Sequence, residues 1–85
     1  MDIILDRAVR RKLKQLDRKT AARLVQKVEH LAANRPDLQA NIRPMADMEN
    51  TYRLRVGDWR ILYRVDDDDG PLVVLKIGSR GDVYR

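Results

Sequence analysis

The sequence has no cysteine and only one histidine, and these two shortages exclude several kinds of site. Without cysteine there is no disulfide bond, no thiolate nucleophile and no thiolate-bound metal. With His30 alone, a two-histidine nuclease mechanism and a histidine-cluster metal site are also excluded. We therefore expect no metal site and no small-molecule cofactor. A small chain that manages without disulfides is most simply a cytoplasmic protein.

Long apolar segments are missing as well. The longest runs are short pieces such as residues 72–75, whereas a membrane-spanning helix needs about 20 apolar residues. The first residues have neither the basic start nor the long apolar segment of a secretory signal. We therefore expect no membrane association.

Positive charge is what the sequence has in excess. Among 85 residues, 18 are lysine or arginine and 13 are acidic, which gives a net charge of +5. Four of the acidic residues form one run at positions 66–69, so the rest of the chain carries 18 cations against 9 anions. This excess of positive charge suits either a polyanionic partner or a merely solvated surface. The length of the chain predicts one domain, residues 1–85.

The first third of the chain has the periodicity of two helices. Asp6 can cap a first helix, in which Val9, Leu13 and Leu16 recur at helical spacing. A second helix begins near residues 17–20 and ends near Asn34, before Pro36. Its apolar stripe consists of Ala21, Leu24, Val25, Val28, Leu31 and Ala32. These patterns predict a helical hairpin.

The second half alternates with the two-residue period of strands. Residues 52–56 and 59–65 are predicted strands joined by the tight turn 57–58, and residues 72–77 form a third strand that ends at the glycines of segment 78–81. Residues 36–50 have no period and are predicted to be a connecting loop. The predicted fold is α+β, with the helical hairpin on one face of an antiparallel sheet. The sheet has three strands, or four if the apolar segment 1–5 joins it.

A two-residue turn also predicts the register of its hairpin. Arg55 then lies opposite Arg60, and residues that lie opposite each other share a face of the sheet. The apolar face collects Tyr52, Leu54, Val56, Trp59, Ile61 and Tyr63. The other face collects Arg53, Arg55, Arg60, Leu62 and Arg64. We predict that the helices cover the apolar face and that the arginine face stays open.

The opposed arginines favour an anion site over a merely solvated face. Like charges directly opposite each other cost a few tenths to about 1 kcal/mol, so stability alone does not explain Arg55 beside Arg60. Guanidinium groups suit phosphate because they present a planar set of donors and keep their charge. The hairpin is therefore a candidate phosphate site.

Two segments of the sequence closely resemble the signature of RelE/ParE-superfamily toxins of bacterial toxin-antitoxin systems. They are YRLRVGDWRILY at residues 52–63 and IGSRGDVY at residues 77–84. The order of the preceding elements also matches, so the resemblance extends over essentially the whole chain. In the RelE branch it implies cleavage of messenger RNA in the ribosomal A site. That reaction is metal-free: the 2′-hydroxyl attacks the adjacent phosphate and a 2′,3′-cyclic product forms.

The resemblance also implies roles for individual residues. Arg60 and Arg80 would be phosphate clamps, Arg55 the group nearest the attacking hydroxyl, and Tyr84 a stacking or orienting residue. These four are the predicted catalytic residues. Arg53, Arg64 and Lys76 are predicted to bind RNA around them. The implied partners are a cognate antitoxin, messenger RNA and the ribosome, including its 16S RNA.

The chain departs from the RelE branch at two positions, because members of that branch carry lysine where this chain has Arg53 and Arg55. Arginine does not release its proton, so any cleavage would depend on electrostatic stabilisation or on a base from the ribosome. The ParE branch shares the fold and inhibits DNA gyrase without nuclease activity, and it remains the alternative. A third possibility is a module that binds antitoxin or nucleic acid and has no activity.

Overall fold

The computed structural model describes residues 1–33 and 36–79, which form two α-helices, one 3-10 helix and five strands. The helices are α1 (Arg7–Gln15), α2 (Arg18–Ala32) and the 3-10 helix Pro36–Asn41. The strands are β1 (Ile3–Leu5), β2 (Ile42–Pro44), β3 (Thr51–Val56), β4 (Trp59–Val65) and β5 (Leu72–Ser79). The predicted order of two helices followed by a β-hairpin and a further strand is confirmed.

Both helices begin after a capping aspartate, which is Asp6, as predicted, for α1 and Asp17, within the predicted range 17–20, for α2. The Asp6 carboxylate accepts a hydrogen bond from the backbone N–H of Ala8 at 3.1 Å, and Asp17 accepts one from that of Thr20 at 3.1 Å. The hydrogen bonds from Thr20 also lower the pKa of Asp17. These bonds satisfy donors that the first turn of a helix leaves without partners. The predicted end of α2 at Asn34 lies outside the described residues.

The sheet has five strands in the order β1-β5-β4-β3-β2, so the prediction of three or four strands was too low. Strand β2 lies in the segment 36–50, which was wrongly predicted to be a loop. Three residues are too few for alternation to appear in sequence, and β2 is defined by its antiparallel pairing with β3. The sheet is also mixed, because β1 runs parallel to β5.

Strand β5 is longer than predicted. It continues to Ser79, two residues beyond the expected end, because Gly78 pairs with Arg60 and Ser79 with Trp59. A β-bulge at Leu62/Tyr63 shifts the register between β4 and β5. As a result Lys76 lies beside Leu62 on the open face, while Val74 lies beside Tyr63 in the core.

The core lies between the helices and the predicted apolar face of the sheet. Leu24 of α2 meets Leu54 of β3 and Ile61 of β4 in one cluster, and all three are fully buried. Trp59 packs at the edge of this cluster, as predicted. The rings of Tyr52 and Tyr63 stack with their centroids 5.6 Å apart, and burial together with the neighbouring Tyr52 raises the pKa of Tyr63 to about 12. The helices thus cover one face and leave the opposite face exposed.

Within residues 1–33 and 36–79, no helix combines the length and the apolar character needed to cross a membrane.

Candidate functional site

The β3–β4 hairpin has the predicted register, which places the arginines on one face. Val56 pairs with Trp59 and Arg55 pairs with Arg60 across the turn. Gly57 adopts a φ of 60°, a left-handed conformation that glycine reaches without the strain a side chain would cause. The tight turn therefore holds Arg55 and Arg60 side by side.

The open face continues across four strands. One row of paired residues runs through Arg43, Arg53, Leu62 and Lys76. The next row runs through Arg55, Arg60 and Gly78. Leu62 is only 8% exposed although it faces outward, and its cross-strand neighbours are long cationic side chains whose aliphatic stems can cover it. The face is thus a cationic surface above an apolar centre.

Arg60 is held in place by the backbone of its own hairpin. Its Nη1 atom donates to the backbone carbonyls of Gly57 and Trp59, both at 2.9 Å. These two bonds hold the guanidinium at the end of the hairpin, and the remaining nitrogens can donate to an anion. The turn therefore determines both the position of Arg60 and the direction of its free donors.

Arg55 is positioned from outside the hairpin. Its Nη2 atom donates to the side-chain oxygen of Asn41 at 3.2 Å. Asn41 is the last residue of the 3-10 helix, which packs against β3. Asn41 was not predicted as a site residue, because its segment was predicted to be an irregular loop.

The arginines surround a cleft of about 270 Å³ on the open face. Its lining residues are Ala40, Asn41, Arg43, Arg53, Arg55 and Arg60. Arg43 was also missed, since only the pairing of β2 with β3 brings it opposite Arg53. Four guanidinium groups around one small cleft form a strongly cationic site with the donor geometry that phosphate requires.

The remaining predicted residues lie apart from this cleft or outside the described residues. Arg64 is exposed and its Nε atom lies 3.4 Å from a carboxylate oxygen of Asp66, which makes it part of a surface ion pair. Lys76 lies on the open face but does not line the cleft. Arg80 and Tyr84 fall outside the described residues.

The chemistry of the cleft follows from its lining. It offers positive charge and N–H donors, and its described lining residues include no carboxylate and no imidazole. Within residues 1–33 and 36–79 there is also no group of histidine or acidic side chains that could hold a metal ion. Such a site can bind and polarise a phosphate, but its arginines cannot take up a proton.

We expect Arg55→Ala to leave the melting temperature unchanged or slightly raised at low ionic strength. Arg55 lies among three other arginines, so its removal relieves repulsion, and the gain should shrink with salt because exposed charges are screened. RNA binding should fall at the same time. Thermal melts over a chloride series and an RNA titration measure both effects.

Arg64→Ala is the matched control for that experiment. It also removes one arginine from the open face, but this arginine has a carboxylate partner in Asp66. Its loss should therefore leave stability unchanged or slightly lowered at low salt. If Arg55→Ala melts several degrees lower at every salt concentration while RNA binding is intact, Arg55 is structural and the anion site is wrong.

The chain is similar in sequence to one family of toxins over nearly its whole length. The sequence model of the family described as the ParE toxin of the type II toxin-antitoxin system parDE matches residues 3–84. Toxin RelG of Mycobacterium tuberculosis is 38% identical over 39 residues, which make up 46% of this chain and 45% of that toxin. This alignment therefore spans less than half of the relative's length.

Solved structures share the fold over nearly the full length. The toxin-antitoxin complex RelBE2 of Mycobacterium tuberculosis contains a chain that aligns with a TM-score of 0.73 and 26% identity, covering 93% of this chain and 96% of that one. The isolated RelE toxin of E. coli aligns with a TM-score of 0.73 and 21% identity, covering 98% and 89% of the two chains. The resemblance predicted from residues 52–63 and 77–84 is thereby confirmed.

Proposed function

Since the chain belongs to the RelE/ParE family of toxins of type II toxin-antitoxin systems, we propose that it inhibits translation by cleaving messenger RNA on the ribosome. The observation that carries this proposal is the cleft of four arginines, in which Arg60 is held by two backbone carbonyls. Structural similarity to RelE toxins supports the same branch. We further propose that residues 1–85 form one toxin domain that acts in the cytoplasm.

The proposed reaction is a phosphoryl transfer within the RNA strand. The 2′-oxygen forms a bond to the adjacent phosphorus while the bond from phosphorus to the 5′-oxygen of the next nucleotide breaks. The products are a 2′,3′-cyclic phosphate and a free 5′-hydroxyl, whose proton comes from water or from the ribosome because arginine does not release its own. Negative charge on the phosphoryl oxygens increases in the transition state, and preorganised donors such as Arg60 stabilise that charge without reorganising.

We propose that the individual residues take the roles that the family resemblance implies. Arg60 and Arg80 bind the phosphoryl oxygens, and Arg55 lies beside Arg60 and nearest the attacking hydroxyl. Tyr84 stacks on or orients a base, and Arg53, Arg64 and Lys76 bind the RNA around the reacting phosphate. Since arginine is not a proton acceptor, the ribosome supplies the base that removes the 2′-hydroxyl proton.

The proposed partners follow from the family. The RelBE2 structure is that of a toxin-antitoxin complex, and we propose that this chain is likewise neutralised by a cognate antitoxin. An acidic or amphipathic antitoxin segment suits the cationic open face. Messenger RNA and ribosomal 16S RNA are the proposed nucleic-acid partners.

Inhibition of DNA gyrase is the second candidate, and one observation favours it. The family model that matches residues 3–84 is described as the ParE toxin. Arg53 and Arg55 in place of the lysines of the RelE branch point in the same direction. The two candidate functions differ in whether protein synthesis or DNA synthesis stops first.

Expression of the protein without its antitoxin should stop protein synthesis before DNA synthesis. Pulse labelling with an amino acid and with thymidine measures the order of the two. Primer extension on ribosome-bound message should reveal new 5′ ends within codons, and naked message should remain uncut. If DNA synthesis stops first while translation continues, the protein is a gyrase inhibitor.

A further inference from the structure

A second cationic cleft lies on the other side of the hairpin turn, where α2 approaches it. It has a volume of about 570 Å³. Its lining includes Arg23 and Lys27 of α2, Arg55 and Arg60 of the hairpin, and the turn residues Gly57 and Asp58. The helix and the sheet therefore both contribute cations to it.

The contribution of the helix comes from Arg23 and Lys27. They are four residues apart on α2, so their side chains project from the same side of the helix. The Nη2 atom of Arg23 lies 3.4 Å from the position that a Cβ atom on Gly57 would occupy. The guanidinium of Arg23 thus lies directly against Gly57, the residue whose backbone carbonyl holds Arg60.

Among the described residues, the lining of this cleft has an excess of positive charge. It combines four cations, Arg23, Lys27, Arg55 and Arg60, with one carboxylate, that of Asp58. Within residues 1–33 and 36–79, neither Arg23 nor Lys27 forms an ion pair. Unpaired cations brought together by a helix and a turn repel each other, so a bound polyanion would be stabilised there.

The two clefts adjoin each other at three shared residues. Both are lined by Asn41, Arg55 and Arg60, which lie where the open face meets the turn. A chain of phosphates that places one phosphate between Arg55 and Arg60 can therefore continue in either direction. One direction leads over the sheet towards Arg43 and Arg53, and the other leads around the turn towards Arg23 and Lys27.

We propose that Arg23 and Lys27 form a second phosphate-binding site that holds the backbone of the same RNA strand one or more nucleotides away from the phosphate at Arg60. This inference rests on the proposed RNA substrate and extends it by a path for the strand. A flexible single strand suits the path, because the line of cations bends around the turn and a rigid duplex does not. The site binds phosphate groups and does not distinguish between bases.

The test is direct binding of uncleavable RNA without the ribosome. Fluorescence anisotropy with 2′-O-methyl oligouridylates from dinucleotide to octanucleotide separates binding of the near phosphate from binding of the far ones. For the wild-type protein, affinity should increase with length. The double variant Arg23→Ala/Lys27→Ala should bind the dinucleotide as the wild type does but gain less from lengthening. Its salt dependence on the octanucleotide should fall by about 0.7 in log–log slope for each phosphate that the variant no longer neutralises.

The matched control is Arg10→Ala/Lys14→Ala. It removes the same two residue types at the same spacing from α1, where both are exposed, and should retain the wild-type gain with length. An Arg23→Ala/Lys27→Ala protein that matches the wild type at every length overturns the second site, and so does an equal loss in the α1 control.

Two further outcomes separate this inference from the proposed function. If Arg60→Ala also binds the octanucleotide as the wild type does, the RNA site itself is wrong, which overturns both proposals. If Arg23→Ala/Lys27→Ala weakens antitoxin binding but leaves RNA binding intact, the cleft holds an acidic protein segment and the RNA path is overturned.

Discussion

Replacing Arg60 with alanine is expected to lower the rate of ribosome-dependent cleavage by roughly 100-fold or more, the loss seen when one preorganised transition-state donor is removed. The position of Arg60 depends on the backbone of the hairpin, because the carbonyls of Gly57 and Trp59 accept hydrogen bonds from its guanidinium. Its donors are therefore in place before the phosphate gains charge. Single-turnover cleavage of a message bound to purified ribosomes measures the effect on the chemical step.

The control for this prediction is Arg64→Ala. Arg64 lies in the same strand and on the same face, but it is paired with Asp66 and lies outside the cleft. Its loss should change cleavage far less than that of Arg60. Arg60→Lys should recover part of the activity, since lysine retains the charge but not the planar donor set. Equal losses for Arg60→Ala and Arg64→Ala would assign only a general electrostatic role to the open face.

The second large effect is expected in the core beneath the site. Ile61 is fully buried in β4, directly after Arg60, and packs in the cluster that joins the helices to the sheet. Ile61→Ala should lower the free energy of unfolding by about 2–5 kcal/mol, through reduced burial and the cavity that remains. The total free energy of unfolding of a small domain is only about 5–15 kcal/mol, so the variant should be close to unfolding. Urea denaturation followed by circular dichroism measures the change.

Ile4→Ala is the matched control, because it removes the same atoms from another strand. Ile4 is 49% exposed in the edge strand β1, so its substitution should lower the free energy of unfolding by about 1 kcal/mol or less. The difference between the two variants isolates the contribution of burial. Similar costs for both would mean that the helices do not cover β4 as the structure describes.

Much of the site could be predicted from sequence because it depends on local geometry. A two-residue turn determines which residues lie opposite each other, and alternation determines which face each side chain takes. The opposition of Arg55 and Arg60 and the burial of Leu54 and Ile61 needed no knowledge of the rest of the chain. The two helices were predictable for the same reason, since each has an aspartate cap and an apolar stripe of its own.

The features that could not be predicted all depend on segments far apart in the chain. Packing of the whole domain sets β1 parallel beside β5, adds β2 as a fifth strand, and brings Arg43 and Asn41 into the arginine cleft. The same packing places Arg23 of α2 against the hairpin turn. Pairing of this kind leaves no periodic pattern in a segment as short as β1 or β2, each of which has three residues. A three-residue strand is defined by its partner, and a cation on a helix becomes part of a site only when packing determines what lies beside it.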